Sequence, residues 1–294
     1  NAFIQNRTSL DNGRWNITIG LNHGQNKPAS GATRRSDLNP NIAVLFNATP
    51  ELAFYGSYST AFNPTDPNLQ NSNGVRGTFG PSTSSSFEVG AKYDLLNRRL
   101  GLAVAVFQNQ IDNALVASDV FLNGERYYRP AGTRRSRGAE ATGDYQVRED
   151  LRLSAGVSYT SAVYLGLPDG SALSTSPIPN SWAEKTPRWS YNFYSRYDRR
   201  EGYLKGFGAG FGVSWQGKRI GSNGARTFGN PDPVVLPSFT KVDTALFYRL
   251  NRHVNFAMNI DNLFDELIFV NGSVASNLEI AAPRTMTFRT SFSF

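Results

Sequence analysis

The last eleven residues constrain the fold most. From Arg284 to Phe294, Met286, Phe288, Phe292 and Phe294 share one parity, broken only by Thr290. Thr285, Thr287, Arg289, Ser291 and Ser293 share the other. Side chains alternate faces along a β-strand, so this segment has one greasy face and one polar face carrying an arginine. The same period of two recurs upstream. Val254, Phe256, Met258 and Ile260 oppose Asn255, Asn259 and Asp261; Phe207, Phe211, Val213 and Trp215 oppose Gly208, Gly210, Gly212 and Gln216. Leu151, Leu153, Val157 and Tyr159 oppose Arg152, Ser154 and Ser158, and Trp15, Ile17, Ile19 and Leu21 oppose Asn16, Thr18 and Asn22.

Composition removes the other classes. Hydrophobic residues are 39% and mean hydropathy is −0.39, and no apolar run approaches the ~20 residues of a spanning helix. Aromatics at 13% are too many for a disordered chain. Charged residues are only 18%, against about 25% in soluble domains, and Gly, Asn, Ser and Thr take up the difference. There is no cysteine, which rules out disulfides, iron–sulfur clusters and thiolate-bound zinc. The net charge of +7 comes from Arg and Lys scattered along the chain, with pairs such as Arg34-Arg35 and Arg134-Arg135. No basic stripe of the kind that binds nucleic acid is present. The sequence opens at Asn1 without an initiator Met or signal-peptide core, which predicts a processed product or a piece of something longer.

A soluble sandwich also alternates, and connection lengths separate the two folds. Asp11–Arg14, Ala48–Pro50, Leu96–Arg99, Arg148–Asp150 and Asn251–His253 are tight. Between them lie the polar stretches His23–Asn39, Asn63–Thr83, Ser118–Arg135, Leu165–Pro187, Gly217–Ser238 and Ile268–Pro283. Short and long connections alternate, the layout of an outer-membrane barrel with short periplasmic turns, long extracellular loops and strands of about 10 residues. The expected fold is therefore all-β, an antiparallel transmembrane β-barrel, with about thirteen strands spread over residues 1–294. An odd number makes the first and last strands meet parallel, whereas bacterial single-chain barrels close with an even number, so a partial barrel is predicted. The strand-like start at Phe3–Leu10 agrees with this.

Several motifs then become comparable with a known family. Asp261-Asn262-Leu263-Phe264-Asp265 resembles its penultimate-strand signature, and Pro283-Arg284-Thr285 with alternation to Phe294 resembles its last strand. Ser86-Phe87-Glu88-Val89-Gly90-Ala91-Lys92-Tyr93 is similar to its Tyr/Phe-Glu-x-Gly-x-Lys strand. Leu204 to Gly212 with Gly217-Lys218-Arg219 is similar to a glycine-rich strand of its siderophore branch. Tyr55 to Phe62 with Pro64, and Ser136-Arg137-Gly138-Ala139-Glu140, fit as well. The chain thus resembles the C-terminal half of the barrel of a TonB-dependent outer-membrane receptor, in the ferric-siderophore (ferrichrome-receptor-like) group.

The resemblance implies a plugged barrel of about 22 strands, with the plug domain, TonB box and earlier strands outside these residues. It implies active import without catalysis: a chelate binds at outer loops and plug, and TonB drives its release into the periplasm. The implied partners are a ferric siderophore, the TonB complex through the N-terminal region, outer-membrane lipid, and the barrel-assembly machinery, which reads the terminal aromatic Phe294. The implied location is the Gram-negative outer membrane. No cofactor is expected, iron entering only as the transported chelate. A receptor for haem, cobalamin or a glycan is the alternative within the family; Asp66-Pro67-Asn68-Leu69 partly echoes a haem-receptor motif without its histidine. A passive porin is the alternative of another class.

An iron chelate needs flat aromatic surfaces with Arg or Tyr donors in a pocket that excludes water. The long loops offer Phe79, Phe121, Tyr127, Tyr128, Arg129, Trp182 and Phe228, although aromatics there also pack loops together. Trp15, Trp189, Trp215, Tyr164 and Tyr197 read as interfacial girdle residues. The glycines from Gly206 to Gly212 keep a spacing of two with no helix following, unlike a dinucleotide loop. They read as lumen-facing positions where a plug or neighbouring backbone comes close. A hydrolase needs a histidine beside its nucleophile, yet only His23 and His253 exist, in an outer loop and a periplasmic turn. Asp66, Asp119, Asp169, Asp232 and Glu266 read as solvated loop acids.

Overall fold

The computed structural model describes all residues except Asn1, 27–34, Pro67, Ala114, Ala131, 166–180, 223–232, 275–276 and Phe294. Thirteen strands form one antiparallel sheet. β1 (Ala2–Leu10), β2 (Trp15–Asn26), β3 (Arg35–Asn47), β4 (Leu52–Asn63), β5 (Ser82–Leu95) and β6 (Leu100–Asp112) neighbour one another in chain order. A hairpin of β7 (Leu115–Leu122) and β8 (Glu125–Pro130) stands off the sheet. The sheet resumes with β9 (Thr133–Arg148), β10 (Leu151–Leu165), β11 (Trp189–Asp198) and β12 (Phe207–Gln216). β13 (Arg219–Ser222) pairs with β14 (Val234–Leu236) outside it, then β15 (Phe239–Arg249) and β16 (Val254–Asp261) extend it. β17 (Phe269–Val274) and β18 (Asn277–Ile280) form a last outside pair before β19 (Thr285–Phe292) closes the series.

Register keeps each parity on one face across the whole sheet. Trp15–Phe46, Val104–Ala141, Tyr191–Trp215 and Met258–Phe288 pair on the apolar face. Ser57–Glu88, Asp144–Ser154, Tyr194–Gly212 and Asn259–Thr287 pair on the polar one. The apolar face is open: Phe288 is 73% and Ile19 56% exposed. Such a surface is stable against lipid, where alternate residues face hydrocarbon and lumen.

Aromatic rings mark both ends of that face. Trp15 and Phe46 pack at 4.3 Å near the short turns. At the other end run Tyr159, Trp189, Tyr191 and Trp215, with successive centroids 4.9, 6.1 and 5.1 Å apart. Tyr197 shares the apolar face, opposite Leu151. Tyr164 does not belong with them: it pairs with Arg134 on the polar face. It lies five residues from Tyr159, and an odd offset reverses the direction of a side chain.

Turn chemistry explains the short end. Asp11 and Asn12 adopt positive φ (53° and 51°) with Gly13 behind them, a conformation their short polar side chains tolerate. The Asn251 carboxamide oxygen accepts from the backbone amides of His253 and Val254, at 2.8 and 2.9 Å. A sixth short connection, 199–206, joins β11 to β12, and its last residue Gly206 has φ +90° with the Arg249 carbonyl lying where an added Cβ would sit. Gly206 is thus a turn glycine rather than a lumen one.

The long connections are less loop-like than their sequences suggest. β2 runs to Asn26, β3 starts at Arg35, and three connections contain their own strand pairs. β1 and β19 run in the same direction, and among the described residues each pairs on one side only, the arrangement expected of part of a barrel.

Candidate ligand-binding mouth and lumen

At the long-connection end, two groups of loops are packed. The first joins residues 64–81 to the β7–β8 hairpin. Gln70 is 4% exposed, and its side-chain amide donates to the carbonyls of Leu122 and Glu125 at 3.0 and 3.1 Å. Its own carbonyl accepts from the Tyr128 amide at 2.8 Å. Arg76 donates to Glu125 at 2.6 Å and to the Asn68 carbonyl at 2.6 Å. The hairpin carrying Tyr127 and Tyr128 is therefore fastened to the loop that carries Phe79. Tyr127, Tyr128 and Phe79 are all half-buried. The backbones of Phe121 and Arg129 lie in β7 and β8, and their side chains lie outside the described residues.

The second group gathers 181–188, β13, β14 and β17. Ala183, Ile220, Leu236 and Ile268 are buried at its centre, and the Lys185 amide donates to the Ile220 carbonyl at 2.7 Å. Arg219, 4% exposed, donates to the carbonyls of Phe269 and Pro237 and lies over the Phe239 ring. Burial pushes its guanidinium below the ordinary value, but an arginine stays charged at any physiological pH. Trp182 belongs to this group, with the Arg188 guanidinium 3.5 Å from its ring centroid. Phe228 lies outside the described residues, as does Phe294.

The Asp-Asn-Leu-Phe-Asp segment is held at the outer end of β16, beside this second group, by a set of local hydrogen bonds. Asn262 is 1% exposed at φ 55°. Its side chain exchanges two hydrogen bonds with Glu266, donating to the carbonyl and accepting from the amide, both 2.9 Å. Its own amide donates to the Asp243 carboxylate at 2.8 Å, and Asp265 accepts from the Arg284 amide at 2.7 Å. The motif ties β15, β16 and β19 together at the outer rim.

Below the mouth, the polar face bears paired charges. The Tyr55 hydroxyl donates to Glu88 at 2.7 Å, and Glu140 stands on the same face within electrostatic reach of that hydroxyl. Lys92 lies 5.4 Å from the Tyr55 ring centroid. Arg152 and Ser154 both donate to Asp144, at 2.9 and 2.6 Å. Lys241 bridges Asp243 at 2.9 Å. The glycines of β12 sit among these groups, and side chains fill the space they leave: Phe247 is 2.8 Å from an added Cβ at Gly208, and the Tyr194 hydroxyl 3.0 Å from one at Gly210. Backbone also approaches, with the Tyr197 carbonyl 3.1 Å from where a Cβ at Gly208 would sit.

His23 and His253 lie at opposite ends of the sheet, and the His253 ring contacts the Ser293 carbonyl through Nδ1 at 2.7 Å. Among the described residues no three His, Asp or Glu side chains gather into a metal site. The Asp66 carboxylate accepts from the Asn68 amide at 2.8 Å, which makes it a turn former.

Residues 1–263 match the family described as TonB dependent receptor-like, beta-barrel. The chain is 31% identical over 260 residues to the metal-pseudopaline receptor CntO of Pseudomonas aeruginosa, covering 88% of this chain and 32% of that protein. It is 26% identical over 305 residues to the ferrioxamine B receptor of Salmonella typhimurium, covering 99% of this chain and 40% of that one. The pyoverdine outer-membrane receptor FpvA of Pseudomonas aeruginosa superposes with a TM-score of 0.77 at 18% identity, over 99% of this chain and 41% of that chain. The chain spans about a third of the length of the curated relatives it matches first.

Proposed function

The chain belongs to the TonB-dependent receptor β-barrel family of the Gram-negative outer membrane, and from that premise we propose that it forms wall and mouth of a receptor that imports ferric siderophores. The observation that carries this reading is the fastening of Tyr127 and Tyr128 to a second loop through Gln70. A preorganised aromatic surface loses less ordering entropy when a rigid chelate binds. The names of the relatives, which refer to metal-pseudopaline and ferrioxamine B, support a metal chelate as the class of cargo. The plug and TonB complex complete the mechanism: loops capture the chelate, polar lumen residues surround the plug, and TonB drives release inward.

The test uses the full receptor in an iron-starved strain lacking its other siderophore receptors. Growth on a hydroxamate, catecholate or mixed ferric siderophore is expected, and it should vanish without TonB or the proton-motive force. A Tyr127→Ala, Tyr128→Ala, Arg129→Ala variant should insert normally and bind chelate more weakly. Uptake of haem, cobalamin or an oligosaccharide in place of every siderophore would overturn the substrate and leave the receptor. Passive conduction of small solutes without TonB would overturn the receptor reading itself.

A further inference from the structure

An asparagine followed by glycine lets a backbone nitrogen reach a side-chain carbonyl, because glycine has no Cβ to hinder the approach. Five such pairs occur in the chain, and four lie among the described residues. In Asn12-Gly13 and Asn73-Gly74 the glycine amide donates elsewhere, to the Leu10 carbonyl at 3.2 Å and the Asn71 carbonyl at 2.9 Å. Asn123-Gly124 forms the β7–β8 turn with both residues at positive φ, 54° and 79°. Asn271-Gly272, in β17, is different: the Gly272 amide donates to the Asn271 carboxamide oxygen at 2.9 Å. With a C=O bond of ~1.23 Å, the carboxamide carbon then stands roughly 3–4 Å from the Gly272 nitrogen. Reacting atoms held ready for attack are ~3–3.5 Å apart.

The other end of the carboxamide is engaged as well. Asn271 faces Glu279 across the β17–β18 pair, and its Nδ2 lies 3.4 Å from Glu279 Oε2. A carboxylate in that position can take up a proton and return it to the departing nitrogen. Nucleophile, acyl carbon and proton carrier therefore meet at one place, with Asn271 half-buried and Glu279 exposed to water.

We infer that Asn271 is a self-modifying site, at which the Gly272 nitrogen closes a succinimide ring that water opens to an aspartyl or isoaspartyl residue. The bond from the Gly272 nitrogen to Cγ forms and the Cγ–Nδ2 bond breaks. The Gly272 proton leaves with the NH2 group as ammonia, carried by Glu279, which ends unchanged. Water then adds at either ring carbonyl. Both products place a second carboxylate opposite Glu279, and like charges directly opposed weaken a strand pair. The isoaspartyl form also lengthens β17 by one backbone carbon. Gly272 has no room to absorb it: Leu278, Val234 and Leu236 stand 2.7, 3.2 and 3.3 Å from where its Cβ would sit. The reaction thus loosens the outer cluster around Leu236. The inference needs only the β17–β18 geometry and stands apart from the identity of the cargo.

The full receptor, folded in detergent, is held at mildly alkaline pH in water enriched in heavy oxygen, and its peptides are mapped by mass spectrometry. Asn271 should lose ammonia and take up heavy oxygen several-fold faster than Asn12, Asn73 and Asn123, and electron-transfer fragmentation should show both isomers. Glu279→Gln should slow this conversion several-fold and leave the other three unchanged, with heat-modifiable mobility verifying the fold of the variant. In receptor unfolded in urea the four rates should converge. Conversion of Asn271 no faster than that of Asn123, an unaltered rate in Glu279→Gln, or the same ranking in urea would each overturn the assignment.

Discussion

Arg76 and Glu125 meet at 2.6 Å across two separate outer connections, 49 residues apart in sequence. Both side chains are about half exposed, so the ion pair alone contributes little, ~0.2–1 kcal/mol. The buried partner beside it matters more. Gln70→Ala would leave the Leu122 and Glu125 carbonyls without their donor, a loss of about 1–3 kcal/mol locally. Hydrogen exchange in the β7–β8 hairpin should quicken, and chelate affinity should drop several-fold, while Arg76→Ala should do much less. Equal protection of the hairpin in Gln70→Ala and wild type would show that the loops hold together without it.

Asn262 combines positive φ with four side-chain and backbone hydrogen bonds at full burial. Asn262→Ala should destabilise the folded barrel by roughly 2–3 kcal/mol, since it strains the backbone and strands two buried groups. Asn262→Gly relieves only the strain and should recover a minor part. The temperature at which the folded band converts on gels orders the three proteins, and an order with alanine equal to wild type would reject this account of the motif.

The topology places Thr65, Gly124 and Gly272 at one end of the sheet and Pro50, Arg98, Glu149 and Arg252 at the other. Single cysteines introduced at the first set should react with an impermeant maleimide on intact cells. Those at the second set should react only after the outer membrane is opened. Gly170 and Asn230, outside the described residues, are expected to label with the first set. Any residue of the two sets labelling from the wrong side would contradict the barrel orientation.

Removal of Phe294 should lower the amount of assembled receptor. Among the described residues β19 pairs with β16, Ser293 just beyond it donates its amide to the His253 carbonyl at 2.9 Å, and the strand's outward Met286, Phe288 and Phe292 are exposed. Immunoblots of outer-membrane fractions measure this directly, and Phe294→Tyr should assemble where Phe294→Asp does not.

Much of this fold is legible because a strand advertises itself locally. The period of two in β16 and β19, and the Asp11-Asn12-Gly13 turn, need no knowledge of the rest of the chain. The count of thirteen strands and the alternation of connection lengths follow from these. Tyr164 reads as a girdle ring by residue type alone, although its odd offset from Tyr159 already puts it on the lumen face. The packed loops are another matter. Nothing in the neighbourhood of Gln70 or Arg219 distinguishes them from other polar loop residues, because their burial depends on partners roughly 50 residues away. Strand pairs hidden inside the long connections are illegible for a related reason. Pieces of three to eight residues such as β14 and β7 hold their form by pairing and packing rather than by pattern.

The buried cluster of Ala183, Ile220, Leu236 and Ile268 has a consequence for how the barrel is built. Its members arrive on three different connections, each carried by its own pair of neighbouring strands. A slip of two residues between β12 and β15 would preserve the lipid-facing and lumen-facing sets, so the membrane itself would not detect it. It would, however, move β13 against β14 by ~7 Å and unseat Leu236. The water-exposed end of the molecule thus acts as a gauge for the register of its membrane wall, rejecting the misalignment that hydrocarbon tolerates.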